Sequence, residues 1–185
     1  LQHGDKEQAE FLFDSLSENH LKFSHLRDFS LNKVKGGTLK TSSIDKPFLL
    51  ITKSSWEQIK DEEINEINRM SKMYKGQIEI IVLFWDSKEK AKLHSKDYNS
   101  NVIITYVDER DNDANHIIKP FKHSFGAPAC FFFSEEKQLL KIDKKFTISN
   151  ESSRSEVAFN VIHEKIKWML FSDEPTNEDI ITTLK

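Results

Sequence analysis

The stretch Ile78–Trp85 is nearly all apolar, and it restricts the fold more than any other part of this sequence. It is too short for a typical helix, and a strand without apolar–polar alternation is typical of a parallel sheet that is covered on both faces. Parallel strands need crossover connections, so helices should precede and follow this strand. The run therefore predicts an α/β domain with a central parallel strand.

Strand and helix patterns alternate on both sides of this central strand. Apolar residues recur every three to five positions from Trp56 to Gly76, which predicts a helix, and Gly36-Gly37 predicts the turn of a hairpin. The other predicted elements, in chain order, are a hairpin over Asp28–Lys40, a strand over Pro47–Ile51, a helix over Lys88–Asp97, a strand over Val102–Val107, a short helix over Ala114–Phe121, strands over Ala129–Phe133 and Gln138–Ile142, and a helix through Ala158–Met169. This order predicts a mixed-sheet α/β sandwich.

The predicted domain does not use the whole chain. Residues 1–27 are expected to form an N-terminal helical extension, with one amphipathic helix over Lys6–Leu16. Residues 28–172 form the α/β domain, and residues 173–185 form a tail with a short helix from Asn177. Leu1 stands first instead of Met, as expected if a signal or lipoprotein segment has been removed, or if the chain was shortened at its start.

Charge and hydropathy exclude several classes of function. The 27 Lys and Arg residues nearly balance the 30 Asp and Glu residues, leaving a net charge of −3. That balance argues against a nucleic-acid partner and against a polybasic membrane patch. The longest uninterrupted apolar run, Ile80–Trp85, is far shorter than the roughly 20 residues of a membrane span, so no transmembrane segment is expected. No sequence feature indicates an oligomeric state.

The sequence also lacks the patterns of common catalytic and cofactor sites. Cys130 is its single cysteine, which excludes an intramolecular disulfide, a redox pair and a thiolate-rich zinc site. The histidines are scattered, so no metal site is predicted. Glycine-rich phosphate loops and the nucleophile elbow of α/β-hydrolases are absent too, and we expect no cofactor.

The order of elements, with Gly126-Ala127-Pro128 directly before a Phe-rich strand, resembles the thioredoxin-like superfamily. Within it, the pattern is most similar to the TlpA-like and peroxiredoxin-like (redoxin) branch, over roughly Phe29 to Phe171. The resemblance implies a three-layer α/β/α sandwich with a mixed central sheet, an N-terminal β-hairpin and an inserted helix. It also implies a cis-proline at Pro128.

The redox motif of that family is degenerate here. The family places Trp-Cys-x-x-Cys at the start of the first core helix, followed closely by a Glu. Trp56 and Glu63 fit this pattern, whereas Glu57 and Lys60 occupy the two cysteine positions. A helix start favours a carboxylate, but a carboxylate cannot exchange with a disulfide. We interpret Glu57 and Lys60 as a solvated helix end in preference to an acid–base couple.

Two further candidates follow Gly126. Cys130 lies in a core-like strand, so an inert buried thiol is the preferred interpretation, and a reactive monothiol facing the Trp56 loop is the alternative. In the resembled fold, extended peptides pair with the residue before the proline, here Ala127, by strand addition. A turn at Pro128 that serves packing only is an equally open interpretation.

The favoured hypothesis is a redox-inactive thioredoxin-like domain that binds a protein or peptide at the face formed by Trp56 and Pro128. One alternative is an enzyme, a thiol-disulfide oxidoreductase or peroxidase that uses Cys130. Another is a structural accessory domain of a cell-envelope assembly. The resemblance implies a periplasmic or cell-envelope location, since TlpA-like proteins are usually exported.

Overall fold

The structure is a computed structural model, and it describes residues 15, 24–54, 61–108, 129–143 and 155–171, with side chains from His163 onward in the last range. Within these residues, seven strands form one mixed sheet in the order β2-β1-β5-β4-β3-β6-β7. The strands are β1 (Ser30–Lys33), β2 (Thr38–Lys40), β3 (Phe48–Lys53), β4 (Glu79–Phe84), β5 (Val102–Tyr106), β6 (Ala129–Phe133) and β7 (Leu139–Asp143). The predicted α/β fold with a mixed sheet is confirmed.

The parallel centre of the sheet is β4, as its unbroken apolar sequence predicts. It pairs in parallel with β3 on one side and with β5 on the other. The antiparallel strands surround this centre: β6 pairs with β3, β7 pairs with β6, and β1 pairs with β5. The Phe-rich strand β6 is therefore the direct neighbour of β3, and this pairing sets the geometry of the candidate site.

The N-terminal hairpin is confirmed. Strands β1 and β2 are antiparallel, with Leu31 opposite Leu39. Gly36 and Gly37 have φ values of +100° and +74°, a conformation that glycine adopts without the steric cost of a Cβ. The hairpin extends the sheet because β1 also pairs with β5, and its turn lies at the edge of the molecule.

Three helices belong to the described residues: α1 (Asp61–Met73), α2 (Lys88–His94) and α3 (Ser155–Phe171). A 3-10 helix, Ser95–Asp97, continues α2. Helix α1 ends three residues before the predicted Gly76, since Gly76 has a φ of +84° and Lys75 forms a bridge with Ile78. The predicted helices over Lys6–Leu16, over Ala114–Phe121 and from Asn177 lie outside the described residues.

Both faces of the sheet are buried. One face packs against apolar side chains of all the described helices, including Ile67 of α1, Ala91 of α2 and Ile166 of α3. The opposite face carries a second apolar cluster that includes Phe48 and Phe133, whose rings stack at 4.6 Å. No helix in the described part of the chain is both long and apolar enough to cross a bilayer.

Candidate functional site

Two of the site residues predicted from the sequence lie in the described part of the chain. Glu63 is in the first turn of α1, and Cys130 is the second residue of β6. The other predicted site residues lie outside the described residues: Trp56, Glu57, Lys60, Ala127 and Pro128. The site is therefore built from the strand ends to which these two undescribed segments are attached.

The end of β3 and the start of β6 are adjacent and directly bonded. Thr52 lies opposite Ala129 in the antiparallel register. Its hydroxyl accepts a hydrogen bond from the backbone nitrogen of Ala129 at 3.1 Å and donates one to the Ala129 carbonyl at 3.3 Å. Segment 55–60 leaves from β3 just beyond Thr52, and segment 121–128 joins β6 at Ala129. Both segments thus attach at neighbouring points on one edge of the sheet.

A buried ion pair lies beneath this edge. Lys53, the last residue of β3, is only 2% exposed, and its Nζ donates a hydrogen bond to Oε1 of Glu63. Lys53 follows Leu49 and Ile51 on the helix-covered face, because side chains alternate along a strand. The acidic first turn of α1 suits the positive end of the helix dipole, and Lys53 supplies the counter-charge. The Glu63 carboxylate is therefore neutralised inside the protein.

Sequence reasoning identified Glu63 but missed Lys53. The signal was present: a lysine closes the otherwise buried run Phe48–Lys53, about ten residues before an acidic helix start. From the sequence, a lysine at that point is expected to be the solvated end of a strand, since lysines are almost never fully buried unless they are paired. Only the packing of α1 over the end of β3 shows that the two charges meet.

Cys130 lies inside the sheet core. Only 2% of the residue is exposed, and its neighbours across the two strand pairs are Ile51 and Asp143. Burial raises the pKa of the Cys130 thiol well above its usual value, and the negative charge of Asp143 raises it further. Lys53 and Lys165 act in the opposite direction, but burial is the larger effect. The thiol is therefore protonated at neutral pH and enclosed by apolar side chains.

A second ion pair lies on the other side of Cys130. The Nζ of Lys165, on α3, donates a hydrogen bond to Asp143 of β7 at 2.6 Å. The two side chains are 26% and 19% exposed, so this pair is only partly screened by water. It ties the C-terminal helix to the outer strand β7, next to the strand that carries the only thiol.

Tyr98 adds a polar atom to the interior near Glu63. The residue is 8% exposed, its ring meets Phe84 edge-on at 6.5 Å, and its hydroxyl has no hydrogen-bond partner among the described residues. Burial, then the negative charges of Glu63 and Asp97, raise the pKa of Tyr98 above its usual value. Sequence analysis gave no sign of this residue, since an aromatic before a strand is read as ordinary core.

The described residues offer little for redox or metal chemistry. Disulfide exchange requires an accessible thiolate, and Cys130 is neither accessible nor ionised at neutral pH. Among the described residues, no three His, Cys, Asp or Glu side chains converge in a way that could hold a metal ion. The described features of this edge are therefore the bonds between Thr52 and Ala129 and the buried pair of Lys53 and Glu63, under the attachment points of segments 55–60 and 121–128.

Comparisons with known proteins were made by sequence and by structure. No protein-family model matches the sequence, and no curated protein matches it significantly. Solved structures do match: an uncharacterized conserved protein from Geobacillus kaustophilus has a TM-score of 0.65 at 12% identity, covering 86% of this chain and 88% of that one. A thiol-disulfide oxidoreductase from Bacteroides fragilis has a TM-score of 0.58 at 19% identity, covering 77% and 99%.

A third match is a protein of the cell surface. An exposed lipoprotein thioredoxin from Streptococcus pneumoniae has a TM-score of 0.52 at 16% identity, covering 73% of this chain and 99% of that one. These identities are too low to transfer an activity, but the shared architecture covers most of each chain. Together with the observed strand order, they show that this chain has a thioredoxin-like fold.

Proposed function

We propose that this protein is a redox-inactive thioredoxin-like domain that binds a protein or peptide at the face formed by Trp56 and Pro128. The observation that carries the proposal is the position of Cys130, the only sulfur nucleophile of the sequence, in the interior of the sheet. A domain that keeps the architecture and encloses its only thiol has no group with which to exchange disulfides.

The buried charges support the loss of redox chemistry. The Nζ of Lys53 holds the carboxylate of Glu63, the position that matches the glutamate of the family motif. Both charged groups lie inside the protein and bond to each other, so neither is presented at the surface. This pair therefore acts as a structural support, and it fixes the start of α1 against the end of β3.

The bonded edge supports the binding half of the proposal. Thr52 anchors Ala129 through both its backbone nitrogen and its carbonyl, so the residues just before Ala129 join the sheet at a fixed point. An extended peptide that pairs with the backbone of Ala127 gains main-chain hydrogen bonds there. We expect Trp56 to supply a large apolar side chain, the kind of anchor that dominates many protein interfaces.

The redox half is tested by insulin reduction in the presence of dithiothreitol, with Cys130→Ser as the matched variant. We expect turnover at the level of the blank for both proteins. Ellman's reagent should label Cys130 of the native protein far more slowly than in urea, because the thiol is buried and protonated. Turnover that Cys130→Ser abolishes would establish the alternative, a thiol oxidoreductase that uses Cys130.

The binding half is tested by selection from a random dodecapeptide display library. The wild-type domain is the bait, and Trp56→Ala and Pro128→Ala domains are the counter-baits. We expect enriched peptides that bind wild type and lose at least tenfold in affinity with either variant. Lys40→Ala, an exposed change on the edge strand β2, should leave their affinity unchanged. Peptides that bind all four proteins equally would argue against this face.

We also propose that the domain works outside the cytoplasm, in the periplasm or cell envelope. The exposed lipoprotein thioredoxin of Streptococcus pneumoniae, which has the same fold, supports this location. Fractionation of cells that express the natural gene tests it, with alkaline phosphatase and a cytoplasmic enzyme as markers. Recovery with the cytoplasmic marker alone would contradict the proposal.

A further inference from the structure

A groove of about 590 Å³ lies between the turn of the N-terminal hairpin and helix α2. Val34 and Tyr98 belong to its lining although both residues are almost fully buried, and Lys35, Lys88, Lys92 and Lys96 contribute charge. We call this feature the lysine groove. Its lysines are not among the site residues predicted from the sequence, and it uses neither Trp56 nor Pro128.

Within the described part of the chain, no ion pair neutralises the charges of the lysine groove. Its four lysines are exposed, and in the described part of the chain none of their ammonium groups has an ion-pair or hydrogen-bond partner. No carboxylate belongs to the lining. Lys90 is on α2 but outside the groove, and it does have an ion-pair partner, since its Nζ lies 3.8 Å from Oδ1 of Asp86. A concentration of unpaired cations in a protein of net charge −3 marks a local anion-attracting surface.

The spacing of the lysines indicates the shape of the anion. Lys88, Lys92 and Lys96 follow one another at four-residue intervals along α2 and its 3-10 extension. A helix rises 1.5 Å per residue, so successive lysines are about 6 Å apart along the axis and the row spans about 12 Å. In an extended peptide, side chains at alternate positions point the same way at intervals of about 6.6 Å. An extended chain with a carboxylate at every second residue therefore matches the row.

Other anions fit this arrangement less well. A single phosphate is compact and would engage one or two of the ammonium groups, leaving the rest of the row unused. Nucleic acid generally meets a broad basic surface, whereas the protein as a whole carries a net negative charge.

We propose that the lysine groove binds an extended acidic segment of a partner protein, with carboxylates at alternate positions. The Lys35 side chain approaches the segment from the hairpin turn, and the lysine row of α2 approaches it from the other side. This proposal does not rest on the one made for the Trp56 and Pro128 face. The two surfaces are formed by different elements, so either can fail without the other.

The test is a titration of the ¹⁵N-labelled domain with a capped peptide of five Glu-Ser repeats at low salt, followed by NMR. We expect shift changes confined to residues near Val34–Gly36 and α2, and a dissociation constant below about 1 mM. Affinity should fall at least tenfold when the salt concentration rises to 0.3 M, because exposed charges are screened. A peptide of five glutamates followed by five serines, with the same charge, should bind more weakly.

Two triple variants of equal net charge separate the groove from general electrostatics. Lys88→Gln/Lys92→Gln/Lys96→Gln should weaken binding at least tenfold, whereas Lys40→Gln/Lys72→Gln/Lys75→Gln should change it less than twofold. Trp56→Ala should bind the acidic peptide as wild type does, which keeps this test apart from the previous proposal. No binding, equal losses in both triples, or tighter binding of tripolyphosphate or of single-stranded DNA would each overturn the acidic-peptide assignment.

Discussion

Lys53 and the lysines of the lysine groove are the same residue type in opposite environments. Lys53 is 2% exposed and bonded to Glu63 in the interior, while Lys88, Lys92 and Lys96 are exposed and unpaired within the described part of the chain. A buried charge without a partner is strongly unfavourable, whereas an exposed one is stabilised by water. The first region therefore has charge that the fold requires, and the second has charge that the fold does not need.

This difference separates structural charge from charge that is free for a ligand. The ion pair at the end of β3 joins two elements, β3 and α1, and its charged groups lie in the interior, away from any partner at the surface. The groove lysines do not link secondary-structure elements, so their charges should affect the binding of an anion and not the free energy of unfolding. Stability measurements should respond to the first region and binding measurements to the second.

The largest effect is expected from Lys53→Met. Removing the ammonium leaves the carboxylate of Glu63 buried without its counter-charge, a change that typically costs about 3–5 kcal/mol. Urea unfolding followed by circular dichroism measures the loss. Lys92→Met, the matched change in the lysine groove, should alter the free energy of unfolding by less than about 0.5 kcal/mol.

A double variant shows whether the loss comes from the unpaired carboxylate. Replacing both partners, as in Lys53→Met/Glu63→Leu, removes the two charges together, so it should recover most of the lost stability. If the double variant is as unstable as the sum of the two single variants, the pair is not coupled, and the contrast with the groove disappears.

The backbone plan of this protein could be predicted from its sequence because each strand has a distinct local pattern. The unbroken run around Val82 marked the parallel centre, and Ala129–Phe133 was predicted with the bounds that the structure shows. Hairpin geometry followed from Gly36 and Gly37, since few other residues adopt their conformation. At these places the local preference of the sequence agrees with the fold, so the local pattern predicts the element correctly.

The site depends on contacts between elements, which local patterns do not encode. Lys53 and Glu63 are ten positions apart, and only the docking of α1 brings them together. The lysine groove needs the hairpin turn of Lys35 to lie beside Lys92, although the two residues are 57 positions apart in the chain. The four-residue spacing of the lysines along α2 is visible in the sequence, but a charged, helix-prone segment is ordinarily a solvated helix face.

The second prediction extends the comparison to Cys130, a buried titratable group with no bonded counter-charge. Its pKa is raised in the folded state, so the folded protein retains the thiol proton at pH values where the unfolded chain has lost it. Stability should therefore fall as the pH rises above the unfolded pKa of about 8.5, by up to 1.36 kcal/mol per pH unit.

Cys130→Ala isolates this effect, because alanine has no proton to lose. The variant should start with a lower free energy of unfolding at pH 7, from the small cavity, and then show a flatter profile up to pH 10. Tyr74 and Tyr98 have raised pKa values too, but their contribution begins only above about pH 10, where the unfolded tyrosines ionise. Parallel profiles of wild type and variant would contradict a buried, protonated thiol.

The third prediction concerns the intermediate case, the pair formed by Asp143 and Lys165. It is less buried than the Lys53 pair and more buried than a typical surface pair. Asp143→Asn should therefore cost about 1–2 kcal/mol, between the values for buried and exposed pairs. Adding 0.5 M sodium chloride should reduce this difference but leave the Lys53→Met loss nearly unchanged, because salt screens partly exposed charges more strongly. If salt reduced the two losses of stability equally, burial would not explain the difference between the two ion pairs.

The smallest effect, and the only gain, is expected from Tyr98→Phe. The Tyr98 hydroxyl is buried near the charge of Glu63 and has no hydrogen-bond partner among the described residues, so it keeps the cost of its lost hydration. Phenylalanine preserves the edge-on contact with Phe84 and removes the unpaired group, which should raise the free energy of unfolding by about 1 kcal/mol. Tyr106→Phe, at a partly exposed position of β5, should change it by less than about 0.5 kcal/mol. A loss of stability in Tyr98→Phe would mean that the hydroxyl is hydrogen-bonded in solution. Tyr98, which also lines the lysine groove, would then belong to the same polar interior as Lys53 and Glu63.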